Sequence, residues 1–492
     1  MAHDMVNRSS ATSGLAPASS DPTNRSNSSA STAHRSTIPP TAVLRASRSS
    51  RPLHPIRLAS TGALAALMLL AAACGNGGSN GPGSAPTASP GASPGDSASP
   101  APSVQEAKLE FWTISLQPTF NDYINGLIDE YQKAHPGVTV DWKDYPYDAI
   151  TTKLLATAGG KNAPDVVNLN TEFASQLATK GALADLGALI SDETKSSFFP
   201  GIFDSTVFDG KPYALPWYTG TQVLYMNKEL VEKAGLDPAN PPKTKEELYE
   251  WSRQVKEKTG AAGYATQFGA NLLPSDGVPI LDDERKSAAF NTDAGIAVVE
   301  QLKKLVDEGV IVKDDANFQK QVEYYSSEQV AFELSGPTFI NKLKSAAPDV
   351  YAKTIAVPLP TGKADLIYSN SMNLVVPKNA KNPQAAADFA VFVTNAANQT
   401  AFAKFANTLP STKASIEDPF FTESDNTLES QAKIASVKSL DKAQEYYLGI
   451  PAAGDINSAI ARQLQEIILN GGDVKAGVEA AAAKVNEAIA PK

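Results

Sequence analysis

The chain has 492 residues, long enough to bury a large core and to divide into two lobes or domains. Its formal net charge is −10, yet the first 73 residues carry seven Arg, no Lys and two Asp, so residues 74–492 carry −15; a body that acidic suits neither nucleic acid nor an anionic membrane surface. The single Cys, Cys74, and the single His beyond it, His135, exclude a disulfide scaffold, Cys-ligated zinc and a Cys–His nucleophile.

Residues 1–44 are rich in Ser, Thr, Ala, Asn and Arg and nearly empty of large apolar side chains, so they read as a disordered N-terminal extension. Residues 45–73 read as a secretory signal, with Arg45, Arg48, Arg51 and Arg57 ahead of the uncharged stretch 58–73, LASTGALAALMLLAAA. The small residues before Cys74 resemble a bacterial lipobox, except that Ala71 stands where Leu is usual and Leu70 lies one place further out. That resemblance implies cleavage before Cys74 and lipid on its sulfur and new amino terminus, an anchor on the outer face of the cytoplasmic membrane. An extension ahead of such a signal is unusual, and we expect translation to start at Val43 or Leu44 from a non-Met codon. Residues 74–107 then form the lipidated Cys and a Gly/Ser/Pro-rich tether.

The body, 108–492, opens with the strand-like run LEFWTI at 109–114. A helix follows, with apolar positions Phe120, Ile124, Leu127, Ile128 and Tyr131 at 3.6-residue spacing, stopped at His135-Pro136-Gly137. His135 reads as a surface residue at that helix end. Val138, Val140 and Trp142 alternate as a strand, a helix is expected over 148–158, and DVVNL at 165–169 is a third strand. Alternating strand and helix predict an α/β class with a mostly parallel sheet. Ligands in such sheets sit beyond the carboxyl ends of the strands, where Trp112, Asn170 and Glu172 fall; each of the three could instead cap or pack.

The stretch 210–228, GKPYALPWYTGTQVLYMNK, reads as extended chain interrupted by Pro216, Trp217, Tyr218, Thr219 and Gly220. Strand interiors disfavour Pro and Gly, so the chain here crosses between two bodies or lines a cavity. Trp217 and Tyr218 offer an apolar face with a polar handle, which fits a sugar ring; Trp217 as a core residue at a strand end fits equally. Further on, Thr244 with Glu247 forms a capping box ahead of a helix with Leu248, Trp251 and Val255 on one stripe, so Trp251 reads as core. Ile296, Val299, Leu302, Leu305 and Val306 make another stripe, closed by Gly309. Val330, Phe332 and Leu334 run as a strand into Ser335-Gly336-Pro337-Thr338, a turn whose N–H groups and Thr338 could face a cavity. A strand at 371–377, two Ala-rich helices to Asn407, and helices at 455–470 and 474–490 complete the chain. Asp282-Asp283-Glu284 and Asp314-Asp315 lack calcium-loop spacing, and Tyr324-Tyr325 and Tyr446-Tyr447 read as helix faces. No nucleotide-binding motif is present in the sequence.

The body resembles the extracellular solute-binding proteins of ABC importers, family 1, the group that includes maltose-binding proteins. The resemblance spans nearly all of 108–492. It is carried by IDEYQKAHPGVTV at 128–140, APDVVNLN at 163–170, GKPYALPWYTGTQVLYMNKEL at 210–230, PPKTKEELYEW at 241–251, SGPTFINKLK at 335–344, SMNLVVPKNAKNPQAAADFAVFVTN at 371–395 and LPSTKAS at 409–415. It implies the type II periplasmic-binding-protein fold, two α/β lobes around a ligand cleft. The first lobe would hold about 108–218 and 370–408 and the second about 222–367 and 412–492, with crossings near 218–221, 368–370 and 408–413. By the resemblance, the cleft would be lined by Trp112, Asn170, Glu172, Trp217, Tyr218, Thr219, Gly336, Thr338, Asn370 and Asn457. Two departures stand out: Gly220 where many relatives carry a carboxylate, and Thr338 where relatives often carry Trp.

The function implied is a non-enzymatic carbohydrate receptor, anchored through Cys74, expected to act as a monomer without cofactor or metal. A membrane permease, served by an ATPase on a separate chain, would read its closed form. Two alternatives remain: a receptor for a glycerol phosphodiester or a polyamine in the same fold, and a surface glycosidase using paired carboxylates.

Overall fold

The computed structural model describes residues 106–157, 160 and 162–490. Cys74, the expected signal segment, the N-terminal extension and the expected tether up to residue 105 lie outside the described residues, while Ala107 already pairs in the first strand.

Six strands form the sheet of the first lobe, in the order Leu409–Pro410, Ala214–Thr219, Met372–Val375, Val166–Asn170, Ala107–Ile114, Val138–Tyr145. Ala107–Ile114 pairs in parallel with both Val138–Tyr145 and Val166–Asn170, in register from Ala107 opposite Val138 to Ile114 opposite Tyr145. Met372–Val375 enters antiparallel between Val166–Asn170 and Ala214–Thr219, so the sheet is mixed rather than mostly parallel. Both faces are covered, which is why LEFWTI is apolar without alternation. Leu109 and Phe111 pack on one face with Ile124, Leu127, Ile128 and Tyr131 of the helix Asn121–Ala134; Trp112 packs on the other with Ile150, Leu154 and Leu177.

The second lobe is built on the antiparallel trio Phe332–Ser335, Val223–Asn227, Thr354–Pro358. The parallel pair Tyr264–Thr266 and Ile311–Asp315 joins it through a bridge from Ala262 to Val330. The helices Lys245–Thr259, Asp293–Asp307, Ala453–Leu469 and Val474–Ile489 cover one face. The capping box is present: Thr244 Oγ1 accepts the Glu247 N–H and the Glu247 side chain accepts the Thr244 N–H.

The lobes are joined at a waist. The chain first passes at 220–222, between two strands that belong to different sheets. It returns near Asn370, whose N–H donates to the Gly220 carbonyl at 3.0 Å. A third passage was expected at 408–413, but this stretch stays with the first lobe. Phe199 N–H donates to Ser411 O at 3.0 Å, Lys413 N–H to Ser197 O at 2.9 Å, and Lys404 pairs with Asp418 at 2.7 Å. The chain enters the second lobe only with the helix Leu428–Val437, whose Leu428, Ala432 and Ala435 pack there. It then comes back once more: Leu440 and Ala443 pack with Phe199, Ile202 and Leu409. The short strand Ala443–Glu445 pairs in parallel with Ile367–Ser369 at the waist.

Candidate functional site

Three parallel strands of the first lobe end on the same edge, and that edge faces the waist. It carries Tyr147, two residues beyond Val138–Tyr145, and Asn170 and Glu172 at the end of Val166–Asn170. Asn170 caps the helix Thr171–Thr179, its Oδ1 accepting the Phe173 N–H at 2.8 Å, while its Nδ2 donates to Tyr147 Oη at 2.5 Å. Capping fixes the amide, and the amide in turn holds the phenol. Tyr147 is 45 % exposed, an aromatic face open beside an amide.

Glu172, in the first turn of that helix, accepts Gln176 Nε2 at 3.0 Å and the Leu448 N–H at 3.2 Å. It therefore ties the first lobe to the returning segment. Tyr446 in that segment donates from Oη to Asn457 Oδ1 at 2.8 Å, and its ring meets Tyr368 edge-on at 5.6 Å. Burial, with the charge of Glu172 nearby, pushes the Tyr446 phenol well above its usual range. Glu172, Tyr446 and Asn457 thus form one cluster drawn from a first-lobe helix, the waist and a second-lobe helix.

Beneath that cluster lies Glu445. Its carboxyl is buried and pushed up to about 7 by that burial, although Ser369, Ser371 and Thr171 hydroxyls hydrogen-bond to it. A recess of about 230 Å³ opens alongside, with Tyr368, Tyr446 and Arg285 on its walls; the Tyr368 hydroxyl is buried without a partner. The Arg285 side chain hydrogen-bonds to Tyr447.

Other expected residues are placed as follows. Thr219 is buried, and its Oγ1 accepts from Ser371 Oγ at 2.9 Å, which makes it a waist clip. The Tyr218 ring lies against Phe402 at 5.1 Å, half-buried, and burial pushes its phenol up to about 12. Asn370 is exposed at the waist. Gly336 and Thr338 follow Phe332–Ser335, whose Ser335 pairs with Val223 just past the first passage. The Gly336 carbonyl accepts Tyr225 Oη at 3.3 Å, and Thr338 is exposed at the start of its helix. A Cβ on Gly220 would meet nothing within 4 Å, so the missing carboxylate leaves open space there.

Two expectations are corrected. Trp217 is 0 % exposed, stacked on Phe402 at 4.9 Å and tilted against Phe111 at 6.3 Å. Trp112 is 4 % exposed, its Nε1 donating to Glu110 Oε1 at 2.5 Å. Both indoles are interior packing of the first lobe, because the sheet is covered on both faces, and neither can stack on a ligand. Tyr446 and Tyr447 are also not on a helix; they lie in the loop between Ala443–Glu445 and Ala453–Leu469. The residues missed from sequence are Tyr147, Tyr446 and Arg285. Tyr147 was within reach of the strand-end rule that selected Asn170, since Val138–Tyr145 ends on the same edge.

Among the described residues, no group of three or more His, Cys, Asp or Glu could hold a metal ion. Residues 126–429 match the family model of bacterial extracellular solute-binding proteins. A solved structure of a candidate oligosaccharide periplasmic-binding protein from Synechococcus sp. MITs9220 is 30% identical, with a TM-score of 0.69 over 77% of this chain and 98% of that one. The cyclic alpha-maltosyl-1,6-maltose binding protein of Arthrobacter globiformis shares the fold, with a TM-score of 0.66 at 23% identity over 78% of this chain and 99% of that one. The arabinooligosaccharide-binding protein of Bacillus subtilis (strain 168) is 25% identical over 304 residues, 58% of this chain and 69% of that protein.

Proposed function

Because the chain belongs to the bacterial extracellular solute-binding protein family, we propose that it is the carbohydrate receptor of an ABC importer, with the ligand held at the waist. The observation that carries this reading is the grouping of Tyr147, Asn170 and Glu172 on one strand-end edge. An open aromatic face beside an amide and a carboxylate matches a sugar ring with its apolar face and hydroxyl rim. Relatives that bind oligosaccharides support the ligand class. Asn370, Thr338 and the Gly336 turn stand across the waist and can close on the other side of the ligand. Contacts made only when both lobes engage favour the closed form.

In this reading Cys74 carries the lipid anchor, a permease takes the sugar from the closed form, and a separate chain hydrolyses ATP. The receptor acts as a monomer and catalyses no reaction. A phosphodiester ligand is disfavoured, because Arg285 at the waist is already engaged by Tyr447.

Thermal unfolding against a panel of mono- and oligosaccharides, a glycerol phosphodiester and a polyamine tests the reading. A saccharide at 100 times its Kd adds about 2.7 kcal/mol and raises the midpoint, and Asn170→Ala removes the rise. A rise with the phosphodiester or the polyamine alone overturns the ligand class while leaving the family intact.

A further inference from the structure

The first lobe carries a second recess on its outer edge. The helix Asn121–Ala134 lies beside the edge strand Val138–Tyr145, and an open groove of about 340 Å³ runs between them. One wall is the half-buried indole of Trp142, oriented by its Nε1 donating to Thr113 Oγ1 at 2.8 Å. The other wall is the ladder Asn121, Asn125, Asp129 and Gln132, spaced three or four residues apart on one helix face. Gln132 closes the lower end, its Oε1 accepting the Val140 N–H at 2.9 Å. Asn121 Oδ1 is buried without a hydrogen-bond partner, and Asn125 and Asp129 are exposed. The helix is held to the lobe by Ile124, Leu127, Ile128 and Tyr131, so the amide ladder is not what docks it. The ladder is roughly 16 Å long, and Gln117, at the strand-end edge, lines its upper end.

We propose that this groove is a second saccharide site, which holds a stretch of neutral glycan along the outer edge of the first lobe. An aromatic wall facing the exposed Asn125 amide and the Asp129 and Asp141 carboxylates offers a polyhydroxylated ring both an apolar face and hydrogen-bonding groups. The groove opens toward the waist at Gln117, so a glycan seated in it keeps one end near the main site. The site goes beyond the waist reading and stands on its own residues.

The test uses protein labelled with 5-fluorotryptophan, which gives one fluorine resonance for each of its four Trp. Trp142→Phe assigns the groove resonance, and the interior Trp112 and Trp217 report lobe movement rather than contact. Maltotetraose and an arabinooligosaccharide are titrated into the parent protein, an Asn170→Ala/Glu172→Gln variant that disables the waist, and an Asn125→Leu variant. The expected result is a saturable Trp142 shift in the millimolar range that persists in the waist variant and is lost in Asn125→Leu. A Trp142 shift that disappears with the waist, an absent shift, or one produced by spermidine but by neither saccharide overturns the proposal. A waist that binds no saccharide while the Trp142 isotherm persists sinks the main reading and leaves this one standing.

Discussion

The Trp217 indole is enclosed by Phe402 and Phe111, so its removal leaves a cavity in the first lobe rather than a gap in a binding surface. Trp217→Ala is expected to cost about 3–5 kcal/mol in chemical denaturation, while the remaining folded protein still gains the ligand increment in unfolding midpoint. Tyr147→Ala should do the reverse. The side chain is largely outside the core, so stability changes by about 0.5 kcal/mol or less and the ligand increment is lost. A shared outcome for the two variants would contradict the division between packing and contact. The sequence fits Trp217 equally to a cavity wall and to a core position at a strand end, and nothing in residue type marks which holds. Coverage of Trp217 on its strand comes from Phe402, 185 residues later in the chain, on the helix Ala396–Ala406. That long-range packing carries no local signal in the sequence around Trp217.

At the level of elements, local signals were legible where the chain supplies both partners. The Thr244–Glu247 box needs only four consecutive residues and forms with both of its bonds. Thr244→Ala is expected to cost about 1 kcal/mol, read as a lower denaturation midpoint with an unchanged slope. The helical stripes were legible for the same reason, and the helix at 293–307 buries Val299, Leu302, Leu305 and Val306. The short strands at the waist were not legible. Ala443–Glu445 has three residues and exists through its pairing with Ile367–Ser369. EYYL itself holds no turn residue, and Gly449 and Pro451 beyond it mark the start of the next helix without marking this strand. Residue type alone therefore fits Tyr446 and Tyr447 to a helix face and carries no sign of the chain's return to the first lobe.

Across the whole molecule, two buried carboxyls set a pH dependence. Glu333, 0 % exposed, is pushed up to about 8 by burial, only partly offset by Ser335, and Glu445 to about 7, from an ordinary 4.5. Both acids hold their protons more tightly folded than unfolded. The stability they contribute is fully present below about 4.5 and is lost as pH rises through about 7 and 8. The unfolding midpoint should fall across that window. Glu333→Gln should flatten the fall and gain about 1–3 kcal/mol at the alkaline end. A midpoint that rises with pH over the same range would show that these carboxyls are not protonated in the fold.

The strand Ala107–Ile114, next to the edge of its sheet, runs ~26 Å toward the waist. Ala107 therefore lies at the end of that strand remote from the waist. In the lipid-anchored reading proposed above, a pull arriving at Ala107 is taken up by that strand's pairing with Val138–Tyr145 and Val166–Asn170 and does not cross the passages at 220–222 or 370. On that same reading the second lobe swings without working against the anchor, and the energy of closure is set by the ligand alone.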